Sequence, residues 1–391
     1  MKIVHLCLCS IINEDYAYQD NLLAKFHKKM GHDVTIIAPT YSKYDKNGKL
    51  IEEPAGRYIW ENGVNVIRVK PILPAKVNRH LFLFHNIAPL LLSLQPDFIF
   101  VHCLLSLNYR SLLKIHEKMP KVRFAFDNHT DYINSNHNLL STYYKKYVLK
   151  PFVAKPLQSL SDFFYGVTPS RCQFLEEEFG INKYKVKLLV MGADDDNMQL
   201  ESRDTIRHEV RTKYKIEDND FLIVTGGKID KKKNIHTLLE AVKKINNQNA
   251  KVLFFGSISD DLKEYISSLI SPNIIYLGWV KSDEVYKYFF AADLIVFPGL
   301  HSVLWEQALA TQTPCAFSRL EGFEHVNYNN NCLFFESANL EEYKVKIQKL
   351  IDDKSLYKDL KENSKTEKSL QFMYSHIAKK VLDDAFPQEA N

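Results

Sequence analysis

Two segments in the C-terminal half carry residue types and spacings that could do chemistry. The first, Gly226-Gly227-Lys228-Ile229-Asp230-Lys231-Lys232-Lys233-Asn234, follows the apolar run Phe221–Thr225 and leads into a helical pattern from Ile235 to Val242. A glycine pair at a strand end lets the backbone turn sharply and approach a ligand closely. Lys228 and Lys233 then bracket the loop with ammonium groups. An ammonium about 4 Å from a phosphate oxygen gains about 4 kcal/mol at an effective dielectric of 20, before desolvation. The second segment, Pro298-Gly299-Leu300-His301-Ser302-Val303-Leu304-Trp305-Glu306-Gln307, also leaves an apolar strand, Leu294–Phe297, and enters a helix. Ser302 is placed to cap that helix, and an anion before its N-terminus would meet the remaining N–H donors. Glu306, on the early turns, offers two oxygens to a vicinal diol such as a ribose. Together these groups suit a nucleoside diphosphate attached to a sugar. Each also has a plainer reading: adjacent lysines are commonly a solvated run, and a glutamate in a first helical turn is favoured by the helix dipole.

The elements that must hold these groups alternate along the chain. Strands are expected at Ile3–Leu8, Val34–Ala38, Val64–Val69, Phe98–Val101, Phe124–Asp127, Phe163–Val167 and Lys187–Val190. Further strands follow at Phe221–Thr225, Val252–Gly256, Ile274–Leu277 and Leu294–Pro298, with helices such as Asp204–Tyr214, Asn234–Asn246 and Asp283–Ala292 between them. Short apolar strands separated by helices indicate an α/β chain with parallel sheets covered on both faces. So many strands need two doubly wound domains, with a junction where Gly192-Ala193-Asp194-Asp195-Asp196 breaks the pattern. Ligands of such sheets sit at the carboxyl ends of strands, where both segments lie.

With 391 residues, 46% hydrophobic and 25% charged, the composition is that of an ordinary globular protein. The formal charge of +4 gives no reason to invoke nucleic acid. The six cysteines show no metal-ligand spacing; Cys7 and Cys9 would share one face of a strand, and buried reduced thiols in a cytosolic protein are expected. The N-terminus reads as a core strand rather than a secretory signal, and no apolar run is long enough to span a bilayer. A cytoplasmic protein is expected, with possible placement at the inner face of the cell membrane. The stretch Tyr143–Lys155 mixes aromatics with lysines. It reads either as a helix packed on its own domain or as a peripheral surface for anionic lipid.

Several motifs in order give a family resemblance. The chain resembles the retaining GT-B-fold glycosyltransferases of family 4, which use nucleotide sugars. Gly227-Lys228 with Lys233 matches the family's Gly-Arg-x4-Lys with lysine for arginine, and Trp305-Glu306-Gln307-Ala308-Leu309-Ala310 through Pro314 matches the end of its Glu-x7-Glu signature. Tyr276-Leu277-Gly278-Trp279-Val280, Ala291-Ala292-Asp293 and Met191-Gly192-Ala193-Asp194 also match.

The resemblance implies two Rossmann-like domains facing across a cleft: an acceptor domain over 1–195, a nucleotide-sugar domain over 196–368, and a helix within 369–391 returning to the first domain. It implies donor contacts from Gly227, Lys228, Lys233, Val280, His301, Ser302, Val303 and Glu306. His129, in Asp127-Asn128-His129-Thr130-Asp131, falls on a family histidine near the anomeric carbon and is expected to be catalytic together with Lys228 and Lys233. His102 matches a second histidine less directly tied to chemistry. Tyr18, Gln19 and Asp131, and more weakly His137, are expected on the acceptor side.

The activity implied is retaining transfer from a nucleoside diphosphate sugar, UDP being commonest, to a hydroxyl of a glycan or lipid-linked glycan in bacterial surface polysaccharide or glycoconjugate synthesis. No metal or cofactor is expected, the nucleotide sugar being a substrate. Two departures stand out. Pro298 occupies the position of the first signature glutamate, which His301 either replaces in part or serves only by shaping the loop. The family's N-terminal glycine-rich loop is replaced by Ile12–Asp20. A non-catalytic partner subunit and a sugar-nucleotide epimerase are the rival readings.

Overall fold

The computed structural model describes residues 1–14, 17–44, 50–133, 139–245, 247 and 249–387; His137 and part of the 12–20 loop lie outside them. The chain divides into two compact units, Met1–Val190 with the segment from Ile377, and Met191–His376. The observed division thus falls at 190 and 377 where the sequence reading put it at 195 and 369.

The first unit contains β1 (Lys2–Leu6), β2 (Asp33–Pro39), β3 (Tyr41–Tyr44), β4 (Leu50–Glu52), β5 (Gly56–Ile59), β6 (Asn65–Val69), β7 (Phe98–Val101), β8 (Arg123–Asn128), β9 (Phe164–Gly166) and β10 (Val186–Leu188). The second contains β11 (Phe221–Gly226), β12 (Ala250–Phe255), β13 (Ile274–Tyr276), β14 (Leu294–Phe297), β15 (Cys315–Ser318) and β16 (Cys332–Phe335). The central strands are apolar on both faces: Ile99, Val101, Ile223, Val224, Val252, Ile295 and Val296 are all fully buried. Covering helices make this possible, since a parallel crossover lays a helix on the sheet.

The first sheet runs β10-β9-β8-β7-β1-β2-β6-β5, parallel except for the edge pair β5–β6. β5 is exposed along its whole length, as befits an edge, and β3 and β4 form a separate antiparallel pair. The second sheet runs β13-β12-β11-β14-β15-β16 and is parallel throughout. In each, strand order reverses at one place, beside β1 and β7 in the first sheet and beside β11 and β14 in the second. A crevice opens at the carboxyl ends of the strands at such a point.

The stretch Tyr143–Lys155 is helical, and the turns Lys145–Ala154 are wound as a π-helix around Pro151, which has no N–H to give. Leu149, Val153 and Ala154 enter the core of the first unit, while Tyr143, Tyr147 and Phe152 stay exposed, so the stretch packs one face on its own unit. Cys7 and Cys9 lie beyond the end of β1 rather than on it, because the strand stops at Leu6. The final helix is Tyr374–Ala385, preceded by a short 3-10 turn at Glu367–Phe372 instead of one helix from Ser369. From Ile377 it packs in the first unit: Phe386 meets Phe98 edge-on, and Asp384 accepts from Tyr165 and Lys187.

Candidate active site

In the second unit the two segments singled out in the sequence interlock at the ends of β11 and β14. Asp230 Oδ1 accepts from the backbone N–H groups of Lys232 and Lys233, at 3.0 and 3.1 Å, so the lysine run is a capped 3-10 turn. Gly227 takes φ +106°, which a residue with a side chain rarely adopts. A Cβ on Gly299 would stand 2.4 Å from the Lys233 Cα, which shows how closely the two loops pass. Leu300 N–H donates to the Lys232 carbonyl at 3.2 Å, and Asn234 Nδ2 to the Pro298 carbonyl at 3.2 Å. Pro298 therefore serves here through its carbonyl, which also accepts from the Tyr343 hydroxyl at 2.8 Å.

The two lysines have separate situations. Lys228 is 69% exposed, with Nζ 3.4 Å from Asp230 Oδ2. Lys233 donates from Nζ to the carbonyls of Leu300 (2.5 Å) and His301 (3.0 Å), and burial pushes its pKa down to about 8, against the opposing pull of Asp230. Two of its three N–H donors thus fasten one loop to the other, leaving a single donor for a phosphate.

Glu306 is fully buried, not the exposed first-turn glutamate of the plainer reading. Its Oε1 accepts from His301 Nε2 at 2.7 Å and His325 Nε2 at 2.9 Å. A carboxylate only accepts, so each imidazole carries its proton on Nε2 toward Glu306. Burial opposes the charged carboxylate, but the two histidines outweigh it and hold its pKa down at about 2. Oε2 is buried without a partner among the described residues. His301 gives its Nε2 proton to Glu306, and Trp305 and Phe323 pack against its ring.

The Ser302 cap is not realised: the helix Leu304–Ala310 is capped at Val303 without a side-chain bond, and Ser302 contributes its carbonyl to Trp305 N–H. Val280 is half-buried just beyond β13. His325 escaped the sequence reading because nothing in its spacing marks it; only the fold returns it to Glu306.

In the first unit, the ends of β1, β7 and β8 gather a second cluster. His129 is one-third exposed, and its Nε2 donates to Asp127 Oδ2 at 3.2 Å. The same oxygen receives His102 Nδ1 at 3.1 Å and Gln19 Nε2 at 3.3 Å, while Oδ1 receives the Cys103 N–H at 2.9 Å. Burial would raise the Asp127 carboxyl, but His129 and His102 overcome it and hold it well below the usual range.

Gln19 is thus buried against Asp127, whereas Tyr18 is 55% exposed at the start of the helix Gln19–Lys29. Asp131 is also buried, paired with Arg171 Nε at 3.1 Å and bonded to the Ile133 N–H at 2.9 Å, because an interior carboxylate needs those partners.

Among the described residues, three groups bring ligand-type atoms within 4.8 Å of one another: Cys7, Asp20 and His102; His102, Asp127 and His129; His301, Glu306 and His325.

Two parallel doubly wound sheets, with polar loops at their switch points, define a GT-B-type architecture. Residues 21–197 match the model of Glycosyltransferase Family 4, and residues 206–367 that of Glycosyl transferases group 1. The chain belongs to the GT-B glycosyltransferases of group 1. It is 23% identical over 219 residues to an uncharacterized glycosyltransferase of Methanocaldococcus jannaschii, covering 52% of this chain and 55% of that protein. It is 29% identical over 192 residues to the capsular polysaccharide biosynthesis glycosyltransferase CapM of Staphylococcus aureus, covering 46% of this chain and 50% of that one. The chain thus spans about half the length of the curated relatives it matches. Among solved structures, Anabaena HepE in complex with UDP and glucose aligns with a TM-score of 0.66 at 14% identity, over 99% of this chain and 100% of that one.

Proposed function

We propose that this protein transfers a sugar, with retention, from a nucleoside diphosphate sugar to a hydroxyl of a glycan or lipid-linked glycan. The observation that carries this reading is the interlocked pair of loops at the β11/β14 switch point, with an exposed ammonium at Lys228 and the buried carboxylate of Glu306. UDP is the proposed nucleotide, in line with the HepE complex, and surface polysaccharide synthesis the proposed setting, in line with CapM.

In this reading Glu306 Oε2 receives the ribose hydroxyls, and Lys228 with the remaining Lys233 N–H meets the diphosphate. The bond from the anomeric carbon to the β-phosphate oxygen breaks, and its electron pair stays on that oxygen. The acceptor oxygen bonds to the same face of the carbon and passes its proton to the departing phosphate. Lysine ammonium groups stabilise the charge that develops there, so we propose turnover without a metal. His129 is proposed to meet a sugar hydroxyl near the reacting carbon with Nδ1, the ring nitrogen not turned to Asp127.

Exposed Tyr143, Tyr147 and Phe152, with Lys146 beside them, support a peripheral contact with anionic lipid that would bring the enzyme to a lipid-linked acceptor. No helix among the described residues is long and apolar enough to cross a membrane.

Incubation with a panel of radiolabelled nucleoside diphosphate sugars and a lipid-linked glycan extract tests the proposal. Label passing into the glycan with release of nucleoside diphosphate is expected. An altered sugar in the absence of acceptor would favour epimerisation, and silence with every donor a non-catalytic subunit.

A further inference from the structure

A chain of buried imidazoles runs behind His129. His27 Nε2 lies 3.1 Å from the carbonyl oxygen of Ala378, His27 Nδ1 3.0 Å from His5 Nε2, and His5 Nδ1 3.0 Å from His102 Nε2. His102 Nδ1 then lies 2.7 Å from Asp20 Oδ1 and 3.1 Å from Asp127 Oδ2. His5, His27 and His102 are all fully buried.

The geometry dictates where each proton sits. A carbonyl only accepts, so His27 carries its proton on Nε2 and, as a neutral ring, accepts at Nδ1. His5 must therefore donate from Nε2 and accept at Nδ1. His102 must donate from Nε2 to His5 and from Nδ1 to Asp127, with the Asp20 carboxylate oxygen 2.7 Å from that nitrogen as a second negative charge. A ring that donates at both nitrogens is an imidazolium.

We propose that His102 is a positioning residue: a buried imidazolium, fixed by a tautomer chain anchored on the Ala378 carbonyl, that holds Asp127 as the carboxylate orienting His129. The groups facing His102 are His5 and Cys7 from β1 and the turn after it, Asp20 from the helix Gln19–Lys29, and Asp127 with His129 from the end of β8. Their balance agrees with the assignment. Burial disfavours a charged His102, but Cys7, Asp20 and Asp127 outweigh it and raise its pKa well above the ordinary value. Burial drives His27 down to about 3 and His5 well below its ordinary value, helped in His5 by the neighbouring His27 and His102. The arrangement gives three neighbouring histidines two different charge states, and places the one charge against the carboxylates.

The functional half of this proposal rests on His129 acting in transfer, so two readouts are needed. Histidine nitrogen NMR on the labelled full chain at about pH 8, with signals assigned by single His→Gln variants, reads the protonation directly. Protons on both nitrogens of His102 and on Nε2 alone of His5 and His27 are expected; a neutral His102 overturns the proposal whatever the activity. His102→Gln should lower kcat about tenfold or more with the KM for the donor sugar within about twofold. Added to His129→Ala, it should cost nothing further. Equal losses in both backgrounds would show that His102 does not act through His129 and overturn its positioning role. A full-rate His129→Ala instead overturns the reading of His129, and the NMR result stands apart from it. If His102→Gln does not fold, Asp127→Asn tests the same link, since it removes the charge that binds both rings; unchanged kcat there contradicts the proposal.

Discussion

Glu306 shows how far a residue's chemistry can be read from its neighbours in sequence. Its place beyond β14 was legible from the strand-to-helix pattern, and its match to the family's signature gave it a role. Its environment was not legible, because His325 reaches it only through the fold. Its carboxyl titrates at about 2 in the folded chain against an ordinary value of 4.5. A folded pKa lowered in this way gives stability that is fully present above about 4.5 and lost as pH falls toward 2. Urea unfolding midpoints of the wild type should therefore drop more steeply between about pH 5 and 3 than those of Glu306→Gln. Parallel slopes would contradict the histidine clamp. For the exposed Lys228, Lys228→Ala should leave the thermal midpoint within a degree or so, since surface substitutions rarely matter to folding. It should weaken nucleoside diphosphate binding about tenfold or more, as a charge-assisted contact implies. Unchanged affinity would remove Lys228 from the donor site.

At the scale of elements, the alternation of strand and helix was legible because fully buried parallel strands are written as apolar runs. The misses follow from the same rule. β5 is exposed throughout, so no apolar run announces it, and Cys315–Ser318 and Cys332–Phe335 are too short and mixed to stand out. The strand ends after Leu6 and Leu188 were drawn too long because apolar residues continue into the loops, where Leu8 and Leu189 pack in the core. Loop-on-loop packing was invisible for a different reason: Gly299 is required by a neighbour distant in sequence. Its Cβ would meet the Lys233 Cα at 2.4 Å and the Lys232 carbonyl oxygen at 2.5 Å, both backbone atoms that cannot swing aside. Gly299→Ala should cost about 1–3 kcal/mol on denaturant unfolding, the scale of overpacking, and weaken nucleoside diphosphate binding as the Lys233 turn is displaced. Wild-type values for both would contradict the interlock.

At the scale of the whole molecule, each unit builds its own sheet and core, and the chain's end belongs to the first. The helix from Tyr374 buries Ile377, Ala378, Val381 and Ala385, supplies the carbonyl that anchors His27, and brings Asp384 to Tyr165. Ending the chain after His376 should therefore lower the unfolding temperature of the first unit by ten degrees or more, because several buried apolar side chains are lost at about 1 kcal/mol or more each; an unchanged midpoint would show that the helix adds nothing. The central claim, that the second unit grips the nucleotide while His129 acts in the chemistry, is tested most directly by calorimetric titration of UDP into the full-length wild type, Lys228→Ala, Glu306→Ala and His129→Ala, with turnover measured alongside. The account predicts that UDP binds the wild type, that Lys228→Ala and Glu306→Ala weaken it about tenfold or more, and that His129→Ala keeps the affinity within about twofold while turnover falls about a hundredfold. UDP affinity lost as severely in His129→Ala as in Lys228→Ala, or turnover untouched by His129→Ala, would contradict it.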